Sequence, residues 1–155
     1  MTEEIATNRK ALRDYQILER YEAGVELRGT EVKSIRQGRL NISDAFARVE
    51  RGQVWLYNLD IQPYDKANGF TQHEPRRTRR LLLHKKEILK LFGDTQQKGL
   101  ALPVLRAYWK DGRVKIELGV GRGRNKGDQR EAMKEKEVKR EAQRVVARFN
   151  ERGRG

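Results

Sequence analysis

The chain has 155 residues, 36% hydrophobic and 37% charged, with 35 Lys and Arg against 22 Asp and Glu and a net charge of +13. That length suits one domain with a modest core plus an appendage, and the absence of cysteine excludes disulfides and thiolate metal sites. No stretch is apolar for long enough to span a bilayer, and MTEEIATNRK lacks the apolar run of a secretory signal, so a cytoplasmic location is expected.

Residues 1–8 read as a short polar arm, and Asn8 to Leu12 as a brief helical turn. From Asp14 to Gly29 the pattern is extended, because Tyr15, Ile17, Tyr21, Val25 and Leu27 recur with a period of two. Leu18 and the pair Ala23-Gly24 break the alternation and predict a bend or bulge. Thr30 is placed to cap a short helix, TEVKSIRQG, ended by Gly38, with Val32, Ile35 and Arg36 on its inner face. AFARVE and QVWLYNL flank Arg51-Gly52 as a hairpin. Residues 60–78 form a long loop rich in Pro, Gly, Asn and charge, of a length that is usually functional or mobile. Leu81 to Leu83 predict a short buried strand. HKKEILKLFG predicts a helix that buries Ile88, Leu89, Leu91 and Phe92 and stops at Gly93. A second hairpin, LALPVLRAYWK and RVKIELGV, turns at Asp111-Gly112.

Strands joined by hairpins, with short helices as insertions, predict a mainly β fold. The simplest fit is a small closed antiparallel barrel of the oligonucleotide-binding (OB) type, with about three short helices. The chain changes character at Gly119, where GVGRGRNKG is glycine-rich and basic and predicts no packed element. Asp128 to Asn150 is helix-prone, with a narrow stripe of Val138, Ala142, Val145 and Phe149. Such a stripe is too thin to bury against a large core, and an isolated helix of this kind is marginal in water. Residues 1–120 are therefore expected to form the folded body, an OB-type barrel. Residues 121–155 are expected to form a basic tail, disordered in the free protein and helix-forming on a partner.

The charge is clustered. Residues 73–90 carry seven Lys or Arg and two Glu, and residues 121–155 carry twelve Lys or Arg and six acids, so these blocks supply +11 of the +13. Clustering favours an anionic partner over general solubility. A membrane is the rival partner, but no lipidation motif or aromatic amphipathic helix accompanies the charge. Walker loops, nucleophile elbows and metal-ligand clusters are missing, which predicts a non-enzyme without metal or cofactor. Arg76, Arg77, Arg79 and Arg80 lie beside the long loop, and guanidinium forks pair with phosphate. Arg9 and Lys10 add cations near the start of the chain, and His84 reads as a helix cap or an RNA contact. Tyr15, Tyr21, Trp55, Tyr57 and Trp109 alternate in strands and read as core. That favours recognition of a folded RNA by shape and backbone over reading of a single strand. Glu31, amid cations, reads either as a first-turn acid that suits the helix dipole or as a carboxylate accepting from RNA. The pattern alone favours the first.

The segment NRKALRDYQILERYEAGVELRGTEVKSIRQGRLNISDAF, from Asn8 to Phe46, together with RTRRLLLHKKEI and AYWKDGRVKIELGVGRG, resembles the small protein B family. These are the bacterial SsrA-binding proteins that partner transfer-messenger RNA. The resemblance implies an OB barrel with flanking helices and a role in trans-translation. In that role the protein binds the tRNA-like domain and helps deliver it, alanylated and with elongation factor Tu bound through the RNA, to stalled ribosomes. It implies RNA contacts by Asn8, Arg9, Glu31, Lys33 and Arg36 and by the basic segment near Arg79 and Arg80, to which Lys10, Arg76, Arg77, His84 and Lys85 are adjacent candidates. For Glu31 the resemblance reverses the preference of the pattern. It also implies that the tail forms a helix in the decoding region and the empty messenger channel, against small-subunit ribosomal RNA. The family's His-Asp-Lys-Arg stands here as Gly127-Asp128-Gln129-Arg130, which removes the histidine contact and leaves Arg122, Arg124, Lys126, Asp128 and Arg130 as candidates. A monomer is expected. The alternative function is a general ribosome-associated RNA-binding protein or RNA chaperone.

Overall fold

The computed structural model describes residues 2–124. The chain runs through β1 (Thr2–Thr7), α1 (Arg9–Asp14), β2 (Tyr15–Val25), α2 (Gly29–Arg36), β3 (Leu40–Asn41), β4 (Phe46–Glu50) and β5 (Gln53–Tyr57). It continues through β6 (Asp60–Ile61), β7 (Arg79–Leu82), α3 (Lys85–Gln96), β8 (Val104–Lys110) and β9 (Arg113–Gly123). Among the described residues the fold is mainly β with three helices, as the patterning predicts. Seven strands make one antiparallel sheet in the order β1-β8-β9-β2-β7-β5-β4, and β3 pairs with β6 apart from it.

Both hairpins form at the predicted turns. Arg51 and Gly52 have φ of 53° and 75°, and Asp111 and Gly112 have φ of 53° and 77°. Two consecutive positive φ values match the right-handed twist of the flanking strands. Inward positions alternate as a half-buried sheet requires: Ala47 and Val49 on β4, Val54 and Leu56 on β5, Ala107 on β8, Ile116 and Leu118 on β9. Leu91 and Ile35 from the helices, Leu59 from a loop and Ile61 from β6 close the core.

The sheet does not close on itself as a ladder. Beyond β4 the contact passes to the segment ahead of β8, where Ala47 N donates to Leu102 O at 2.8 Å and Val104 N donates to Ala45 O at 3.1 Å. The same segment reaches β9 through the Ala101–Gly121 bridge.

Several expectations are corrected. The polar arm is strand β1, paired antiparallel with β8 from Thr2 opposite Lys110 to Thr7 opposite Arg106. Its composition is polar because it is an edge strand with little to bury. The predicted bulge falls at Leu18, where the β2–β9 register shifts between Ile17 and Glu19, while Ala23 and Gly24 stay in register. Helix α2 starts after Arg28, not Thr30, and buries Glu31, Ser34 and Ile35, leaving Arg36 exposed. It ends as predicted at Gly38. There φ is +73°, and the amides of Gly38 and Arg39 return to the carbonyls of Ile35 and Ser34.

Helix α3 passes through Gly93 to Gln96, because Gly93 keeps helical dihedrals and the positive φ, 65°, comes later at Gly99. It docks on a narrow stripe of Ile88, Leu91 and Asp94 and leaves Leu89 62% and Phe92 45% exposed. The glycine-rich segment after residue 119 is not loose at its start. Strand β9 continues to Gly123 and buries Gly119 and Gly121. A Cβ at Gly121 would stand 2.6 Å from the Gln16 carbonyl oxygen, so glycine there allows β2 and β9 to meet. The boundary expected at residue 120 thus falls inside a strand. The expected disordered or helix-forming tail lies almost wholly outside the described residues, as do Lys126, Asp128 and Arg130.

Candidate nucleic-acid interface

Helix α2 and the segment 73–80 are bound together by one buried carboxylate. Glu31 is fully buried in the first turn of α2. Its Oε1 accepts from the Arg28 amide at 2.8 Å and from Arg77 Nη2 at 2.6 Å. Its Oε2 accepts from Arg79 Nε at 2.5 Å. Burial alone would raise the Glu31 pKa. Hydrogen bonds from Arg77 and the Arg28 amide, with the charge of Arg79, outweigh it and hold the carboxyl below its usual range.

Arg79 is also fully buried, which lowers its pKa; Glu31 opposes that shift. Its guanidinium donates to the carbonyls of Leu59 at 2.7 Å and Pro75 at 3.1 Å, so its donors are spent inside the protein. A buried charge pair is tolerable only with such complete hydrogen bonding.

The loop from 62 to 78 is fastened at further points. His73 is buried, with Nδ1 at 2.9 Å from Thr30 Oγ1 and Nε2 at 2.9 Å from Ile61 O, so Nε2 carries a proton to donate. Gln72 both accepts from the Tyr64 amide and donates to the Tyr64 carbonyl. Arg76 Nε lies 3.5 Å from Asp60. A loop pinned in this way presents its cations at set positions. Lys33, exposed on α2, lies over the Tyr64 ring at 5.5 Å, and Arg36 lies over the Trp109 ring at 5.8 Å. The structure therefore gathers Lys33, Arg36 and Arg77 at α2, with Arg79 beneath them, while Arg76 is held at Asp60 on β6. Arg80 points outward on β7 and pairs with Glu26.

The other candidates are spread out. Asn8 is buried and caps α1: its Oδ1 accepts from Ala11 N at 3.0 Å. Its Nδ2 donates to Val104 O at 2.8 Å and Ile42 O at 3.0 Å, so it fastens α1 to β8 and to the segment after β3. Arg9 and Lys10 are exposed on α1, and Lys10 reaches Asp44 at 3.4 Å. His84 and Lys85 are exposed where α3 begins, and the His84 amide donates to Glu87 at 3.0 Å. Arg122 and Arg124 are exposed at the end of β9, where the Arg124 amide donates to the Asp14 carbonyl. The tail therefore departs beside the end of α1.

The sequence pattern missed the part played by Arg28 and the reach of Arg36 to Trp109. No local signal exists for a cation and a ring on separate elements that meet only through the fold. Trp55 and Tyr57, read as core, face outward from β5 and are only half-buried, while Val54 and Leu56 point inward. Tyr57 stacks on Phe46 with centroids 5.5 Å apart, and Arg48 covers both rings.

A family model described as SmpB protein matches residues 5–148 of the chain. The SsrA-binding protein of Carboxydothermus hydrogenoformans is 54% identical over 142 residues, covering 92% of this chain and 95% of that protein. The SsrA-binding protein of Geobacillus thermodenitrificans is 53% identical over 148 residues, covering 96% and 93%. A solved structure described as "tmRNA-SmpB: a journey to the center of the bacterial ribosome" is 46% identical with a TM-score of 0.65, covering 83% of this chain and 93% of that one.

Proposed function

The chain belongs to the SmpB family, and on that premise we propose that it is the adaptor that binds the tRNA-like domain of transfer-messenger RNA and delivers it to stalled ribosomes in trans-translation. It is an RNA-binding protein and not an enzyme. Its partners are transfer-messenger RNA and the ribosome, with elongation factor Tu engaged through the RNA. The observation that carries the reading is the match over residues 5–148, which joins the cation cluster on α2 and the segment after β9 in one family pattern.

We infer a division of labour among the site residues. Lys33, Arg36, Arg76, Arg77 and Arg80, with Arg9, Lys10, His84 and Lys85, supply side chains to RNA phosphates and sugars. Glu31, Arg79 and Asn8 act as positioning residues, because their polar atoms are already bonded within the protein. Arg122 and Arg124, continued by Lys126, Asp128 and Arg130, serve the ribosomal RNA of the decoding region. The single bridges from β4 through residues 101–104 to β9 support reading the sheet as an OB-type barrel closed at that seam. A monomer working in the cytoplasm fits this reading.

Competition in a gel shift tests the function. Labelled transfer-messenger RNA should resist displacement by a large excess of bulk tRNA. Displacement by equal amounts of either RNA would instead mark a general RNA-binding protein or RNA chaperone.

A further inference from the structure

Strands β2 and β9 run side by side until Gly24 faces Lys115; β2 then leaves β9, and its last residues, Gly24 and Val25, pair with β7. The β8–β9 hairpin continues past that point to its turn. Strands that part in this way leave a wedge between them, and here it is a cleft of about 290 Å³. Its walls are apolar: Val25, Leu27, Val32, Val114 and Trp109. Leu82, 47% exposed, forms an open lip. Arg113 and Lys115 are its charged lining residues, so the mouth is positive.

Trp109 packs against the core yet is only half-buried, and it also borders a wider cleft on the side of Thr2 and Arg36. Helix α2 joins the two features, since Val32 lines the narrow cleft and Arg36 lies over the indole. An RNA held by Lys33 and Arg36 would therefore pass across the mouth.

A flat aromatic wall, apolar sides and cations at the rim complement one chemical species well, a base splayed out of its stack with its phosphates at the opening. An apolar side chain of a protein partner would gain nothing from the cationic rim. We propose that this cleft receives an unpaired nucleobase of the bound RNA, stacked on Trp109, with flanking phosphates at Arg113 and Lys115. The inference rests on the RNA-binding reading above and adds to it a demand for a looped-out base.

The chain has two tryptophans, so Trp55→Phe leaves Trp109 as the sole reporter. The full-length variant is titrated with the transcribed tRNA-like domain and with a fully paired RNA duplex of equal length. Trp109 emission should be quenched by the first and not by the second. Trp109→Leu should weaken binding of the tRNA-like domain about tenfold, and Trp109→Phe much less, as expected for one stacked base. Lys115→Gln, which leaves the apolar walls intact, should weaken it a few-fold and serves if Trp109→Leu does not fold. Unchanged emission at saturation, or wild-type affinity in Trp109→Leu and Lys115→Gln, overturns the proposal. So does quenching by ribosomes free of transfer-messenger RNA combined with none by the RNA domain, which would show that the tRNA-like domain does not fill the cleft. Failure of the Trp55→Phe parent to bind the tRNA-like domain at all would strike the RNA-binding reading instead.

Discussion

Glu31 and Arg79, both without exposed side-chain surface, grip each other across the junction of α2 and β7, and Arg77 completes the group from the loop side. Removing one partner of a buried pair strands the other charge, at a cost of about 3–5 kcal/mol. Glu31→Ala should therefore lower stability by that amount in urea unfolding. Replacing both partners with methionine should restore much of the loss, since apolar side chains of similar volume fill the space. RNA affinity should not return in the double variant, because Arg77, 23% exposed, would have lost its anchor. Recovery of full affinity would show that the carboxylate does not position the RNA-facing cations.

The same group sets an acid limb. The Glu31 carboxyl is held below the ordinary carboxylate range in the folded protein, by hydrogen bonds from Arg77 and the Arg28 amide and by the charge of Arg79. A carboxyl whose pKa falls on folding stabilises fully above its unfolded pKa, and the contribution disappears as pH drops through the folded value. Stability measured against pH should be flat with respect to Glu31 above about 5 and should fall below about 4.5. Glu31→Gln should be less stable at neutral pH and show a shallower decline in acid.

Asn8 offers a test of capping against donation. Its Oδ1 caps α1, while its Nδ2 feeds the carbonyls of Ile42 and Val104. Asn8→Ala should cost about 2–3 kcal/mol, from a lost cap and carbonyls left without a donor. Asp is as good a helix cap as Asn, yet Asn8→Asp should be no more stable than Asn8→Ala, since it turns an oxygen toward those two carbonyls. Urea midpoints of the two variants decide the point.

Two glycines should respond oppositely to alanine. At Gly121 the new Cβ would lie 2.6 Å from the Gln16 carbonyl oxygen, and the β2–β9 pairing should weaken by about 1–3 kcal/mol. At Gly93, in helix α3, a Cβ meets nothing within 4 Å, so alanine should stabilise by about 0.5–1 kcal/mol. Thermal melts of the single variants separate the two effects.

Where the chain is cut should matter. Removal of everything after Arg124 should leave a folded body with intact affinity for the tRNA-like domain and no activity in ribosome rescue. Removal after Gly119 also deletes Val120 and Gly121, which face Glu19 and Ile17 on β2. It should therefore lower the melting temperature as well.

The parts of this fold legible in the sequence were those whose cause is local. Asp111-Gly112 and Arg51-Gly52 announce their turns because the dihedrals are a property of two residues. The stop at Gly38 is equally self-contained. Thr2 to Thr7 was misread because an edge strand with polar composition is defined by its partner β8, about 100 residues away. Gly119 and Gly121 looked like loop residues because close approach of two strands leaves no mark except the missing side chain. At the site, the cations could be counted but not sorted. Arg76, Arg77, Arg79 and Arg80 form one run in the sequence, yet Arg79 is buried while its neighbours reach solvent. Glu31 decides that sorting, and its partners lie 46 and 48 residues along the chain.

The bond from the Arg124 amide to the Asp14 carbonyl has a kinetic side. It fixes the point from which residues 125–155 extend, and 31 residues reach at most about 100–110 Å. On the function proposed above, body and tail would be two ligands on one chain. If the proposed division of labour holds, then once the body is seated the tail would meet its own target at an effective concentration set by tether length and not by the concentration of protein in solution. Inserting flexible residues after Arg124 would dilute that local concentration while leaving every contact unchanged, so engagement of the tail is adjustable by length alone.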